Sequence, residues 1–261
     1  ARSSVTEGRP PPVLWIALTL AASVAQTARN ALQRELTARH GALGAAHARF
    51  LYGLPFAALF LAFLGWWGGQ APPFPSGMSI LWAALGGMTQ IAGTALLLMA
   101  MQSSAFVVAV AYSKTEPLLV LLVAWLAFGG VPTAVQSIAI VLATIGVMLM
   151  SWPGGAAERG WFRALVLGVA SGAGFAVSAL SYRQGIVALD PALGFVTRAT
   201  LTLVTALTIQ TVTLSAWLMW RRPGVMRELL RDPFTALPAG LAGAVASQFW
   251  FLAFAVQTAA L

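Results

Sequence analysis

The chain has 261 residues, of which 59% are hydrophobic and 8% are charged, and it contains no cysteine. Soluble domains carry about 25% charged residues, so this composition excludes an ordinary soluble protein and favours a membrane protein. The absence of cysteine excludes disulfides and thiolate metal sites. The net charge of +8 comes from arginines that lie between apolar segments. Basic residues in that position orient a membrane protein, so no nucleic-acid partner is expected.

The first twelve residues (1–12) end in a proline run and are predicted to form a flexible tail. Beyond them, apolar stretches long enough to cross a bilayer alternate with short segments rich in glycine, proline or charge. A backbone inside the membrane must satisfy its own hydrogen bonds, so each stretch is predicted to be a helix. The eight predicted spans, with boundaries good to a few residues, are 13–33, 44–65, 79–101, 104–128, 133–152, 162–186, 192–220 and 236–259.

Two short matches indicate an internal repeat. A shift of 155 residues aligns "AMQSSA" (100–105) with "AVQTAA" (255–260), and both copies end a span. A shift near 150 aligns "LQREL" (32–36) with "YRQGI" (182–186). Repeats of this size within one membrane chain are typical of secondary transporters.

The repeat predicts two halves, 13–152 and 161–261. Each half has five spans. Because five is an odd number, the second half starts on the opposite side of the membrane and is inverted relative to the first. Only three of its spans lie before Leu261. Either the protein lacks the last two helices of this half, or the chain continues with two further helices, which is the interpretation we favour. The predicted fold class is all-α: a polytopic membrane helix bundle of two inverted five-helix repeats, with eight helices in this chain.

The stretch "AYSKTEPLL" (111–119) places two charges in the middle of span four, where ionisable groups are functional candidates by default. Pro117 removes a backbone donor and predicts a kink. Lys114 and Glu116 lie two residues apart, about 200° around a helix, so they cannot share a face. Glu116 shares a small, polar face with Tyr112, and we predict that it faces the cavity as a substrate or proton site. For Lys114, the only lysine, we expect a partner on a neighbouring helix.

Polar residues of other spans are candidates to complete the cavity. In the first span, three- and four-residue spacing places one stripe on a helix, and that stripe consists of Ser23, Gln26, Thr27, Asn30 and Arg34, with Arg29 off it. The full candidate set for substrate or proton binding is Glu116, Lys114, Tyr112, Gln26, Asn30, Gln90, Tyr182, Gln248 and Trp250. The alternative for each uncharged polar residue is an ordinary interhelical hydrogen bond. Arg49 could fix an anionic group or cap the cavity, but an arginine at a span end usually snorkels, and this is what we expect.

Two stretches carry a resemblance to a known family. They are "ARFLYGLPFAALFLAFL" (48–64), which opens span two with an arginine, and "AYSKTEPLLVLLVAWLAFGGVPTAVQSIAIVLATIGVMLM" (111–150). The chain resembles the EamA-type carriers of the drug/metabolite transporter superfamily, which have five plus five helices. At Gly130 it departs from the many members that carry a glutamate there, so no role of that glutamate is transferred.

The resemblance implies an exporter of small metabolites or amino-acid-like solutes that works by alternating access in a bacterial inner membrane. The partners expected are the lipid bilayer, a small-molecule substrate and, as a candidate, a second copy of the chain in a homodimer. The sequence has no Walker-type nucleotide loop and no metal-ligand motif. Neither a metal nor a nucleotide cofactor is therefore expected, and an ion gradient or the substrate gradient would drive transport.

Orientation is left open by two opposing indications. Members of the family usually keep the N-terminus in the cytoplasm. The positive-inside rule instead favours an N-terminus outside, because most arginines then lie on the cytoplasmic side. Those arginines are Arg34, Arg39, Arg159, Arg163, Arg221, Arg222, Arg227 and Arg231.

Two other function classes share parts of this sequence pattern. A membrane scaffold or lipid-handling protein would share the composition but exchange no solute. "ASGAGF" (170–175) is similar to the nucleophile motif of rhomboid intramembrane proteases, with Ser171 as the attacking residue. That chemistry needs a base beside the serine. The two histidines, His40 and His47, are predicted to lie in the first loop, and none follows them up to Leu261, which argues against a protease.

Overall fold

The protein is described by a computed structural model that covers residues 13–103, 106–129, 133–150 and 161–259. The predicted tail 1–12, Gly130 and the chain end at Leu261 lie outside the described residues. All secondary structure assigned within those ranges is helical. The helices are α1 (Leu14–Trp67), α2 (Gly77–Ser103), α3 (Phe106–Ser113), α4 (Glu116–Phe128), α5 (Ala134–Met150), α6 (Trp161–Val187), α7 (Phe195–Arg221), α8 (Pro223–Arg231) and α9 (Pro233–Ala259).

Within the described residues, six helical stretches are long and apolar enough to cross a membrane. One is α1, one is formed by α3 and α4 together, and the others are α2, α6, α7 and α9. The helix α5 is apolar but shorter. A typical helix of 27 residues, such as α2, measures about 40 Å and exceeds a hydrocarbon core of about 30 Å. The structure therefore confirms a polytopic all-α membrane bundle.

The 54-residue α1 contains two spans joined at one residue. Gly41 has φ 71° and ψ 173°, outside the helical region, and this backbone conformation is essentially restricted to glycine. The side-chain Nε2 of Gln33 donates to the carbonyl oxygen of Ala45 at 3.3 Å. Residues twelve apart in a straight helix are about 18 Å apart, so α1 folds back on itself. The first loop is thus a turn at Gly41, and His40 and His47 lie in helix, not in a longer loop as predicted.

The predicted loop 221–232 contains the short helix α8, which the sequence prediction missed. A proline lies at its first turn, where a missing N–H costs nothing. Its buried residues Met226 and Leu229 are three apart and share one face. The stretch "RRPGVMRELLRD" was predicted to be a loop because it contains a proline, a glycine and six charged residues.

Helices of each predicted half pack mainly on helices of the other half. The two arms of α1 pack mainly on α9, and α2 packs mainly on α6, with a smaller contact to α7. The third span of each half therefore lies against the first two spans of the other half. The polar interior described below is enclosed by these helices and by α4.

Candidate functional site

The candidate site begins at a break in the fourth span. The helix α3 ends at Ser113, Lys114 and Thr115 form a turn, and α4 begins at Glu116. Pro117 lies in the first turn of α4 and has no N–H with which to continue the α3 ladder. Hydrogen bonds to the carbonyl three residues earlier replace the α-helical ones at this point. The Lys114 N–H donates to the Ala111 carbonyl at 2.9 Å, and the Thr115 N–H donates to the Tyr112 carbonyl. The chain thus presents Glu116 at a helix start inside the bundle.

The helix α6 approaches this break at Gly172. A Cβ atom on Gly172 would lie 2.9 Å from the Thr115 hydroxyl oxygen and 3.0 Å from the Ser113 carbonyl oxygen. Real Cβ atoms essentially never approach other atoms below 3.0 Å, so only glycine fits without displacing the break. Close approach of α6 therefore holds the start of α4, and Glu116 with it, against the bundle interior.

Glu116 lines a small interior cavity together with residues of α1, α2, α6 and α9. Its volume is about 50 Å³, which accommodates only a few water molecules. The lining residues are Gln26, Arg29, Gln90, Glu116, Phe175, Ser178, Ala179, Tyr182, Ser247, Trp250, Phe251 and Phe254. Both predicted halves of the chain contribute to this wall.

Among the described residues, Arg29 and Glu116 are the two charged residues in the wall. Arg29 is 4% exposed, and its guanidinium donates to the side-chain oxygen of Asn30 at 3.0 Å. No carboxylate lies within 4.0 Å of this guanidinium, since the only such ion pair within the described residues joins His40 and Glu228. The cavity therefore exposes a cation and an anion on its wall that do not neutralise each other by direct contact.

A hydrogen-bonded cluster forms the polar side of the cavity. The Tyr182 hydroxyl donates to the side-chain oxygen of Gln90 at 3.0 Å, and Gln210 Nε2 donates to the same oxygen at 2.8 Å. Gln210 lies on α7 and is fully buried. Because buried networks of this kind hold side chains in one arrangement, Tyr182 and Gln90 are fixed in the cavity wall.

Aromatic rings form another part of the cavity wall. The Trp250 indole N–H donates to the side-chain oxygen of Gln26 at 2.7 Å, which orients the ring. Trp250 stacks on Phe254 with ring centroids 5.9 Å apart, and Phe251 lies 4.5 Å from the Tyr182 ring. These rings provide an apolar surface within reach of Arg29 and Glu116.

Arg49 lies behind the wall as an unpaired buried cation. It is 1% exposed, and it donates to the hydroxyls of Thr94 at 3.4 Å and Ser247 at 3.2 Å. Its Nε has no hydrogen-bond partner in the part of the chain that the structure describes, and its guanidinium lies 4.9 Å from the centre of the Phe50 ring. The expectation that Arg49 snorkels to the surface is wrong, because the Gly41 turn places it about 12 Å inside the second arm of α1. Arg49 instead joins α2 to α9.

Of the nine predicted site residues, the structure brings five to the cavity: Gln26, Gln90, Glu116, Tyr182 and Trp250. The other four lie elsewhere. Tyr112 is buried against α6 beside Gly168, Asn30 supports Arg29, and Gln248 donates to the Thr200 hydroxyl at 2.8 Å. Lys114 is half-buried in the turn. The expected partner for Lys114 is not found, since no hydrogen bond or ion pair of its side chain occurs within the described residues.

Sequence reasoning missed Arg29 and Gln210. Arg29 lies three residues after Gln26, about 60° away around the helix axis. The cavity therefore faces the edge of the predicted polar stripe, next to Gln26, and not its centre at Asn30. The three-residue spacing from Gln26 could have identified Arg29 from the sequence. No sequence pattern could have identified Gln210, because its role depends on the contact between α7 and α2.

Ser171 is a packing residue. It is fully buried, and its hydroxyl donates to the Gly93 carbonyl of α2 at 2.8 Å. The histidines contact other groups: His47 Nε2 lies 3.2 Å from the Ser215 hydroxyl, and His40 Nδ1 lies 3.5 Å from the Glu228 carboxylate. A base beside Ser171, which the protease reading requires, is not supplied by either histidine.

A bundle of apolar helices around a charged interior cavity defines a multi-pass membrane protein. The profile of the EamA-like transporter family matches residues 13–152, more than half of the chain. The chain belongs to this family and is therefore a membrane transporter of the drug/metabolite type, not a member of an enzyme family. A comparison with curated proteins and one with solved structures each gave no match.

Proposed function

We propose that this protein is a secondary carrier that exports small, amino-acid-like metabolites across a bacterial inner membrane by alternating access. One observation carries the proposal: Arg29 and Glu116 both line the interior cavity, and they form no salt bridge with each other. Unpaired charges inside a membrane bundle are costly and mark substrate or ion sites. The family membership supports transport as the activity.

The wall of the cavity suits a zwitterion with an apolar side chain. Arginine binds a carboxylate through two parallel N–H groups, so Arg29 would receive the carboxylate of an amino-acid-like solute. Glu116 would receive its ammonium group. Trp250 and Phe254 offer ring faces to a cation or an apolar side chain, and both lie in the same wall.

Alternating access is supported by the size of the cavity and by helix packing. A volume of about 50 Å³ is far below the roughly 300–1,000 Å³ of typical small-molecule pockets, so helices must move to admit a solute. The third span of each half packs on the first two spans of the other, as expected for two inverted repeats over 13–152 and 161–261. A rocking motion between these halves would open the cavity to each side in turn.

Proton coupling is proposed for Glu116. It is the only carboxylate in the cavity wall among the described residues. The charged groups near enough to act on it electrostatically are Lys114, in the adjacent turn, and Arg29, across the cavity. A carboxylate that exchanges a proton for the substrate ammonium would couple export to proton entry.

Counterflow in proteoliposomes tests the function. Vesicles loaded with one unlabelled amino acid, diluted into the same labelled amino acid, should accumulate the label transiently without any ion gradient. Amino acids with apolar side chains should give the largest signal, and dicarboxylates or polyamines little. A membrane scaffold or lipid-handling protein would give no exchange for any of these solutes, which would overturn the proposal.

A further inference from the structure

The short helix α8 (Pro223–Arg231) is held firmly at one end of the bundle. The Tyr52 hydroxyl donates to the Leu229 carbonyl at 2.6 Å, and Glu228 lies 3.5 Å from His40. The helix connects α7 to α9, both of which are long and apolar enough to cross a membrane. It therefore lies where the bundle meets the surface of the bilayer.

The residues around α8 divide into a buried and an exposed face. Met226 and Leu229 are 9% and 1% exposed and pack on the bundle. The exposed side carries large apolar residues next to arginines. The apolar ones are Met219, Trp220, Leu230 and Phe234, with exposed fractions between 58% and 81%. An arginine-bearing amphipathic helix with exposed aromatic neighbours is typical of the membrane interface.

A groove runs between α8 and the end of α7. Its volume is about 370 Å³, within the range of about 300–1,000 Å³ for small-ligand pockets. Four of its six lining residues are apolar: Met219, Pro223, Met226 and Leu230. The other two are Arg227 and Arg231, which are four residues apart and therefore lie on one side of the helix.

The charge at this groove is unbalanced. Between residues 221 and 232 there are four arginines and two acidic residues, a net charge of +2. Glu228 pairs with His40, and Asp232 accepts a hydrogen bond from Thr235. No carboxylate lies within 4.0 Å of Arg227 or Arg231 among the described residues. Their guanidinium groups are therefore available for an anion.

We infer that this groove binds an anionic phospholipid of the surrounding bilayer. Arg227 and Arg231 would hold the phosphate, since guanidinium groups bind phosphate oxygens with two N–H donors. The acyl chains would lie against Met219 and Leu230 on the membrane side. Arg221, whose guanidinium lies 4.1 Å from the centre of the Trp220 ring, would add to the attraction for the anionic surface. This inference concerns a surface separate from the cavity and does not depend on the substrate proposed above.

The test uses the full chain purified in detergent, relipidated with phosphatidylglycerol and phosphatidylcholine in equal amounts, and analysed by native mass spectrometry. The unmodified protein should retain phosphatidylglycerol in preference to phosphatidylcholine. The double variant R227Q/R231Q should lose roughly tenfold or more in apparent affinity for phosphatidylglycerol, with unchanged thermal unfolding in phosphatidylcholine alone. If that variant does not purify as a folded protein, the single variants R227Q and R231Q replace it, each with a smaller loss.

The matched control is R39Q/R163Q, which removes two exposed arginines on the same side of the predicted topology but outside the groove. It should retain phosphatidylglycerol as the unmodified protein does. An equal loss of phosphatidylglycerol binding in this control would mean that surface arginines attract anionic lipid in general, and it would overturn the proposed site. Equal retention of both lipids, or full retention by R227Q/R231Q, would overturn it as well. Binding of sn-glycerol 3-phosphate as strongly as the lipid would identify a soluble phosphate ester, and not a phospholipid, as the ligand.

Discussion

Arg29 on α1 and Glu116 at the start of α4 line one interior cavity, yet they make no salt bridge. A direct ion pair would close the site to a solute, because the two charges would satisfy each other. The separation leaves one cation and one anion free for groups of opposite sign. This relationship is the basis for a zwitterionic substrate and for the proton site proposed at Glu116.

Glu116→Gln should abolish the stimulation of transport by a pH gradient. Glutamine keeps the size of the side chain but carries no charge and cannot release a proton. Exchange without a gradient should therefore persist, with a higher KM because the substrate ammonium loses its carboxylate. The measurement is uptake by proteoliposomes with and without an imposed pH gradient. Glu35→Gln is the control, because Glu35 is an exposed carboxylate of α1 outside the cavity wall, and it should keep the stimulation. Full stimulation in Glu116→Gln would contradict proton coupling through this residue.

Arg29→Gln should weaken the binding of the substrate carboxylate. A hydrogen bond to a charged group contributes about 1.5–3 kcal/mol, so the KM for counterflow should rise by roughly 10- to 100-fold. The concentration dependence of counterflow gives this value directly. Arg34→Gln provides the comparison, since Arg34 is an exposed arginine of the same helix arm, and its KM should not change. Equal KM values for the two variants would show that Arg29 does not contact substrate.

Arg49→Met should separate stability from transport. A buried charge without a carboxylate partner costs free energy, so a methionine of comparable volume should leave thermal stability unchanged or raised. The hydroxyls of Thr94 and Ser247 would lose their link between α2 and α9, and the transport rate should fall. The thermal unfolding temperature tests the expected stability, and the initial rate of counterflow tests the expected loss of transport. A variant that unfolds earlier but transports normally would make Arg49 a purely structural residue.

Gly172→Ala should disturb the break in the fourth span. The new Cβ would meet the Thr115 hydroxyl and the Ser113 carbonyl, and such overpacking costs about 1–3 kcal/mol. A lower thermal unfolding temperature and a lower transport rate are expected together. Gly146→Ala on α5 is the matched control, because nothing lies within 4 Å of its added Cβ, and a helical alanine is favoured by about 0.5–1 kcal/mol. Identical behaviour of the two variants would mean that the contact of α6 with the break is dispensable.

The sequence predicted features that depend on neighbours along the chain. Pro117 beside Glu116 is a local signal, and the break lies where the missing N–H requires it. The spans follow from hydropathy and from the need to satisfy backbone hydrogen bonds in lipid. A loop was predicted between the first two spans, but its length was wrong, because the largely polar residues 34–40 are helical and the reversal is confined to Gly41.

The composition of the cavity depended on contacts between distant helices. Tyr182 and Gln90 were candidates by residue type, but their hydrogen bond requires that α6 lie against α2. Gln210 and Arg49 gave no local signal, since their partners are 120 and 198 residues away in the chain. Helical spacing gives the face of each helix but not its neighbour, which is why Asn30 and Gln248 were placed at the site.

The most direct test is substrate protection of a single cysteine in the cavity wall. The chain has no cysteine, so Ser178→Cys creates one reactive position in the wall, where Ser178 is 2% exposed. A small thiol reagent should modify it slowly in the absence of substrate, and a saturating amino-acid substrate identified by counterflow should slow the reaction further. Ser76→Cys, exposed at the end of the bundle, should react equally fast with and without substrate. Modification of Ser178→Cys at one rate under both conditions, in a variant that still transports, would contradict the placement of the substrate between Arg29 and Glu116.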